Sequence, residues 1–165
     1  MSRAFAKEED QEEAPFIPPR AALPPGTTNY VTATGQQQLL DEREALKKEK
    51  ASLMAEDATE QRKAMAVVNG KLRQLNERIG SARVLDPPAF ADEVRFGARV
   101  ALKVVGKNIA HAFQIVGVDE ADIKQQKIAF VSPMARAVTG KKVGEIAELK
   151  LGNEVRELKI VEINY

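Results

Sequence analysis

The side chains that most often do covalent chemistry are nearly missing from this chain of 165 residues, which has no Cys and a single His, His111. Without Cys, disulfides, thiolate nucleophiles and thiolate metal sites are excluded. His111 stands in a strand-like run among small apolar residues, where a structural or surface imidazole fits better than a general base. No Gly-x-Ser-x-Gly turn occurs. Gly140-Lys141-Lys142 is not a phosphate loop, because Ala135 stands where the first glycine belongs and Lys142 where Ser or Thr would hold magnesium. No catalytic residue is assigned, and the chain does not read as an enzyme. What remains is carboxylate chemistry and surface recognition. Carboxylates gather at Glu56, Asp57 and Glu60, and again at Asp119, Glu120 and Asp122. A third cluster is Ser132-Pro133-Met134-Ala135-Arg136. Each also fits a plain structural role: a solvated capped turn, a polar loop, and a helix start with Met134 in the core.

The elements that position these clusters can be read from pattern. Residues 1–29 are predicted to be a disordered acidic and Pro-rich tail. Glu8-Glu9-Asp10-Gln11-Glu12-Glu13 and prolines at 15, 18, 19, 24 and 25 both oppose a packed core. Phe16-Ile17-Pro18-Pro19 could serve there as a partner-binding arm. Residues 30–81 are predicted to form an antiparallel coiled-coil hairpin of about 20 residues per arm, roughly 30 Å long. Thr32 or Thr34 caps the first arm, and Leu39, Leu46 and Leu53 recur every seven residues. In the second arm Met65, Val68, Leu72, Leu75 and Ile79 step by three and four, and Gly80 closes it as a C-cap. Glu56, Asp57 and Glu60 then fall at the tip, with Asp57 or Thr59 as cap. Gly70 inside the second arm costs about 1 kcal/mol relative to Ala, for no reason visible in the sequence.

Residues 82–165 are predicted to be a small α+β domain of about five antiparallel strands and one short helix. β-type runs cover residues 94–105, 108–117, 127–132, 146–151 and 155–163. Turns fall at Gly106-Lys107-Asn108 and Gly152-Asn153. Ser132 caps the helix, with Pro133 at its first position and Gly140 at its end. The acidic loop and the Ser-Pro corner are expected at an exposed rim. Formal net charge is +1, from 25 Lys+Arg against 24 Asp+Glu, which is not the footprint of binding nucleic acid by bulk charge. No apolar run suits a signal peptide or a membrane span, so a cytoplasmic protein is expected.

The motifs resemble a known family. Ile115-Val116-Gly117-x-Asp119-Glu120-Ala121-Asp122, Ser132-Pro133-Met134-Ala135-Arg136-Ala137 and Gly140-Lys141-x-Val143-Gly144 are similar to the C-terminal domain of the Gre family of bacterial transcription elongation factors. Tyr30-Val31-Thr32-x-x-Gly35 resembles the family's N-terminal start, Arg83-Val84-Leu85-Asp86 its hairpin exit, and Phe96-Gly97-Ala98-Arg99-Val100 its first domain strand. The resemblance implies an FKBP-like sheet in the C-terminal domain and RNA polymerase as partner, with indirect contact to nascent RNA and DNA. A prolyl isomerase reading of that sheet lacks an aromatic-lined pocket in the sequence.

In the family the hairpin enters the polymerase's secondary channel, where two tip acids help hold a catalytic Mg²⁺ and activate water. The resemblance thus puts Glu56, Asp57 and Glu60 at a Mg²⁺ shared with the polymerase; no cofactor of the chain's own is implied. It puts Asp119, Glu120, Asp122, Ser132, Pro133, Met134 and Arg136 on the surface that docks at the channel rim. Two departures matter. The family's tip signature is absent, leaving only Asp57 and Glu60 at a three-residue step. Residues 31–86 are also shorter than in the family by about two turns per arm, as in its Rnk-type members, so the tip falls on the order of 10 Å short. Ligation needs about 2–2.5 Å. The expected protein is therefore a monomeric polymerase-binding factor that modulates elongation without efficient transcript cleavage. The alternatives are an active cleavage factor using the tip carboxylates, and a homodimerising module using the hairpin seam.

Overall fold

Thr32 sets the first boundary. Its backbone is extended and its hydroxyl accepts from the Gly35 amide at 2.9 Å, which makes it the N-cap of α1, Ala33–Ser52. The structure, a computed structural model, describes residues 13–165 apart from residues 56 and 90. The expected metal ligand Glu56 and most of the acidic cluster of the tail lie outside the described residues. Asp57 caps α2, Ala58–Ser81, by accepting from the Thr59 amide at 3.2 Å. The two helices close an apolar seam in which Leu39 and Leu46 of α1 and Leu75 of α2 are buried together. The seven-residue pattern stops there: Leu53 lies just past α1 as its C-cap, and Met54 is 95 % exposed.

Gly80 does not end the second arm. α2 runs through Ser81 and its C-cap is Ala82. The reason is a cap from elsewhere in the chain. Asn29, 2 % exposed, donates its side-chain amide to the Arg78 carbonyl at 3.1 Å and to Ser81 Oγ at 3.2 Å. The helix end thereby finds a partner for a terminal carbonyl without a left-handed glycine. Asn29 opens β1, Asn29–Val31, which pairs in parallel with β2, Ala82–Val84. This ladder ties the two ends of the hairpin together. Sequence pattern gives no sign of it, since each strand has only three residues.

The C-terminal domain is one sheet of five strands, β3 (Arg99–Val104), β4 (Ala110–Val116), β5 (Lys127–Ala129), β6 (Ile146–Leu151) and β7 (Glu154–Asn164), in the order β5-β4-β3-β7-β6. Three of its pairings are antiparallel, as expected. The β4–β5 pair is parallel, which corrects the all-antiparallel expectation. Residues 117–126 leave the end of β4 and carry the chain back beside it, through a 3-10 turn at Ile123–Gln125 and a left-handed Gln126 at φ 56°. β5 ends early because Ser132 already caps α3, Pro133–Val138. Val100, Leu102, Ile115, Leu158 and Ile160 face inward and bury Ala135 and Val138 of α3 against the sheet. Apolar burial on this face holds the layer together, while the other face carries charged residues such as Arg99, Lys103, Glu148 and Lys159. Among the described residues no helix is long and apolar enough to cross a membrane.

Candidate functional site

The tip of the hairpin is short. Residues 53–57 join the helices, and Gln61 braces the turn by donating to the Leu53 carbonyl at 3.0 Å. Asp57 is exposed and uses one carboxylate oxygen on the helix cap. Glu60 is exposed in the first turn of α2. Among the described residues no group of three or more His, Cys, Asp or Glu stands ready to hold a metal ion.

The acidic loop differs from its sequence expectation, because two of its carboxylates turn inward rather than lining an exposed rim. The Glu120 side chain is 3 % exposed. It accepts from the Thr32 hydroxyl at 2.5 Å and from Lys127 Nζ at 3.1 Å. Thr32 in turn caps α1, so a buried negative charge stands at that helix's N-terminus, where the helix dipole favours it. Gly35 makes room: a Cβ there would lie 2.6 Å from Glu120 Oε2. Asp119, with a side chain 7 % exposed, takes Arg20 Nε at 2.9 Å and meets Arg78 Nε at 3.2 Å. Arg20 also forms a two-pronged bond to Glu42 of α1, at 2.8 and 3.0 Å. That bond is the largest cause lifting the Arg20 guanidinium above its ordinary value, partly opposed by burial and reinforced by Asp119. Asp122 is half-buried and caps the 3-10 turn by accepting from the Lys124 amide at 2.9 Å.

Gly117 lets the same loop touch the hairpin. A Cβ there would lie 2.7 Å from the Tyr30 backbone oxygen. Beside this contact the Tyr30, Phe96 and Phe130 rings pack with centroids 5.6 to 6.1 Å apart. These rings, with Leu85, Ile115 and Arg136, line a cavity of about 510 Å³. Sequence reasoning missed this aromatic wall because Tyr30 comes from the hairpin base and the two phenylalanines from the domain. At the Ser-Pro corner, Ser132 Oγ accepts from the Ala135 amide at 3.3 Å and Met134 packs against the core. Pro133 and Arg136 are exposed. The residues of the three sequence clusters therefore fall into two places: the tip carboxylates at one end of the hairpin, and the acidic loop and corner around its base.

Sequence reasoning also missed Arg20, Arg78, Thr32 and Lys127 as partners of the acidic loop. The usable signal was in the glycines. Gly35 sits in a first helical turn and Gly117 between valines, where only a close neighbour explains a missing side chain.

A helical hairpin docked by its base on a small α+β sheet domain defines the class of the fold. Residues 88–165 match the family described as transcription elongation factor, GreA/GreB, C-term. The chain is 37 % identical over 106 residues to transcription elongation factor GreA of Halorhodospira halophila, covering 63 % of this chain and 67 % of that one. It is 39 % identical over 107 residues to GreA of Neorickettsia sennetsu, covering 64 % and 67 %. The chain belongs to the GreA/GreB family of transcription elongation factors. Solved structures similar to it include the GreA factor homolog 1 (Gfh1) protein of Thermus thermophilus, at 20 % identity and TM-score 0.40 over 84 % of this chain and 100 % of that one. Another is GreA/GreB from Nitrosomonas europaea, at 19 % identity and TM-score 0.41 over 84 % and 99 %.

Proposed function

We propose that this chain binds RNA polymerase at the rim of the secondary channel and modulates elongation by inserting a hairpin too short to serve the catalytic metal. Family membership supports the partner. The observation that carries the reading is the joint between hairpin and domain. Glu120 on the α1 cap, Asp119 on Arg78, and Gly117 against Tyr30 fix a finger onto a body, which suits a factor that docks with one and probes with the other. Pro133 and Arg136 offer the exposed docking contacts, with Ser132 and Met134 holding the corner that presents them. Asp119, Glu120 and Asp122 shape the neighbouring loop.

Helix lengths support a tip held back from the metal. α1 has 20 residues and α2 has 24, which is roughly 30 and 36 Å of helix. Asp57 already gives one oxygen to the Thr59 amide. The factor acts as a monomer in this reading, because Leu39, Leu46 and Leu75 are consumed within one hairpin. The second reading is a true cleavage factor, and its support is Asp57 and Glu60, both exposed at the tip and three residues apart. Co-sedimentation with core polymerase tests the partner, and RNA cleavage in halted complexes tests the chemistry. Binding without added cleavage is expected. Cleavage that disappears with Asp57→Ala and Glu60→Ala would establish the second reading, and failure to bind core polymerase would remove both.

A further inference from the structure

The stretch ahead of β1 does more than lead into it. Ile17 lies against α2 at Gly70, where a Cβ would overlap its side chain. Gly70 is buried inside a helix, at a position where any residue except proline would favour the helix more. Three residues on, Arg20 is only 18 % exposed and grips Glu42 of α1 and Asp119 of the domain loop together. Arg78 of α2 closes the set, meeting Asp119 and donating to the Ala21 carbonyl at 2.6 Å. One short segment thus touches both helices of the finger and the loop of the body. Its two cations and two carboxylates balance, so partial burial leaves no net charge unpaired.

We propose that residues 15–24 form a strap, keyed by Ile17 in the Gly70 notch and Arg20 between Glu42 and Asp119, that sets the angle of the hairpin against the domain. Without it the two parts keep the contacts at Thr32, Gly117 and Tyr30 and the Arg78–Asp119 pair in the last turn of α2, all at the foot of the hairpin. A joint held only at its foot lets a lever about 30 Å long swing at its far end. With the strap, Arg20 adds a brace at Glu42, further along α1. The strap therefore decides where the tip points, whatever the tip then does. It also occupies the Asp119 carboxylate, so releasing the strap changes the loop beside the Ser-Pro corner.

The test needs only the free protein, and the absence of Cys makes labelling direct. Spin labels at Lys48→Cys on α1 and Lys150→Cys on β6, both exposed positions, report the finger-to-body distance. Two variants release the strap from opposite sides: Gly70→Leu fills the notch, and Arg20→Ala removes the brace without substituting any residue of the hairpin or the domain. Trypsin reads the strap itself, since the Arg20–Ala21 bond is protected while Arg20 is held. In Gly70→Leu that bond is expected to be cut about tenfold faster, as local opening no longer limits it. The label distance distribution is expected to broaden in both variants, with the helical circular dichroism signal kept. If Arg20→Ala leaves the distribution as narrow as in the parent, the strap orients nothing and the proposal fails. Unchanged trypsin cleavage in Gly70→Leu would equally overturn it, because the notch would then not hold the segment.

Discussion

Gly117→Ala separates a designed close approach from an incidental glycine. Gly117 has no positive φ, so its backbone alone would accept alanine. In open space that change stabilises a protein by about 0.4–1 kcal/mol, by narrowing the unfolded ensemble. Here the new Cβ lies 2.7 Å from the Tyr30 backbone oxygen and 3.5 Å from Val31 Cα, against about 3.4 Å for ordinary contact. The deficit is about 0.7 Å, and the obstructing atom is main chain in a paired strand, so it cannot rotate away. Relief requires β1 to lift off the domain, disturbing the Tyr30–Phe96–Phe130 packing. Overpacking of this kind costs about 1–3 kcal/mol, which outweighs the entropic gain.

Gly80→Ala is the internal control. It lies in the last turn of α2 with nothing within 4 Å of the added carbon, and it should gain up to about 1 kcal/mol. Urea denaturation of both variants, followed by circular dichroism, gives the two values. At about 2–4 °C per kcal/mol for a chain of this size, the melting temperatures should move in opposite directions. If Gly117→Ala stabilises as much as Gly80→Ala, the hairpin base does not rest on the domain loop and the joint described above is wrong.

Glu120→Gln keeps the shape of the buried side chain but removes the charge facing Lys127 and the α1 N-terminus. Charge-assisted hydrogen bonds of this kind contribute about 1.5–3 kcal/mol, so a loss of about 2 kcal/mol is expected in the same denaturation assay. A neutral result would place Glu120 in solvent. The alkaline limb of stability should carry a tyrosine. Partial burial raises the Tyr165 phenol above its ordinary value; the Arg95 amide, which donates to its hydroxyl, and the Arg95 charge oppose the rise, and the Glu93 charge adds to it. A group whose folded pKa is raised stabilises fully below its unfolded pKa, about 10 for tyrosine. Its contribution is lost as pH climbs through the folded value, and Tyr165→Phe should flatten that limb. Asp57→Ala removes the α2 cap and should cost about 1 kcal/mol, leaving affinity for core polymerase unchanged in a binding titration.

Local signals were legible in the sequence where a residue's neighbours in the chain decide its role. Thr32 and Ser132 were readable as caps because the capped amide lies three residues on. The Gly152-Asn153 turn was readable because the strands on either side alternate. What stayed hidden depends on partners far away in sequence. Gly80 looked like a helix stop, but Asn29 caps α2 from 49 residues upstream of Arg78. The acidic loop looked exposed, since nothing nearby in sequence announces Thr32 and Lys127 as partners for Glu120, or Arg20 and Arg78 for Asp119. The parallel β4–β5 and β1–β2 pairs were invisible for the same reason: three-residue strands carry too short a pattern to show which neighbour they choose.

The most direct measurement is a competition on backtracked RNA polymerase between this protein and a full-length cleavage factor. A docking factor with a short finger predicts that rising amounts of this protein suppress cleavage by the other, while alone it produces none. Cleavage by this protein alone, lost on Asp57→Ala and Glu60→Ala, would contradict that claim.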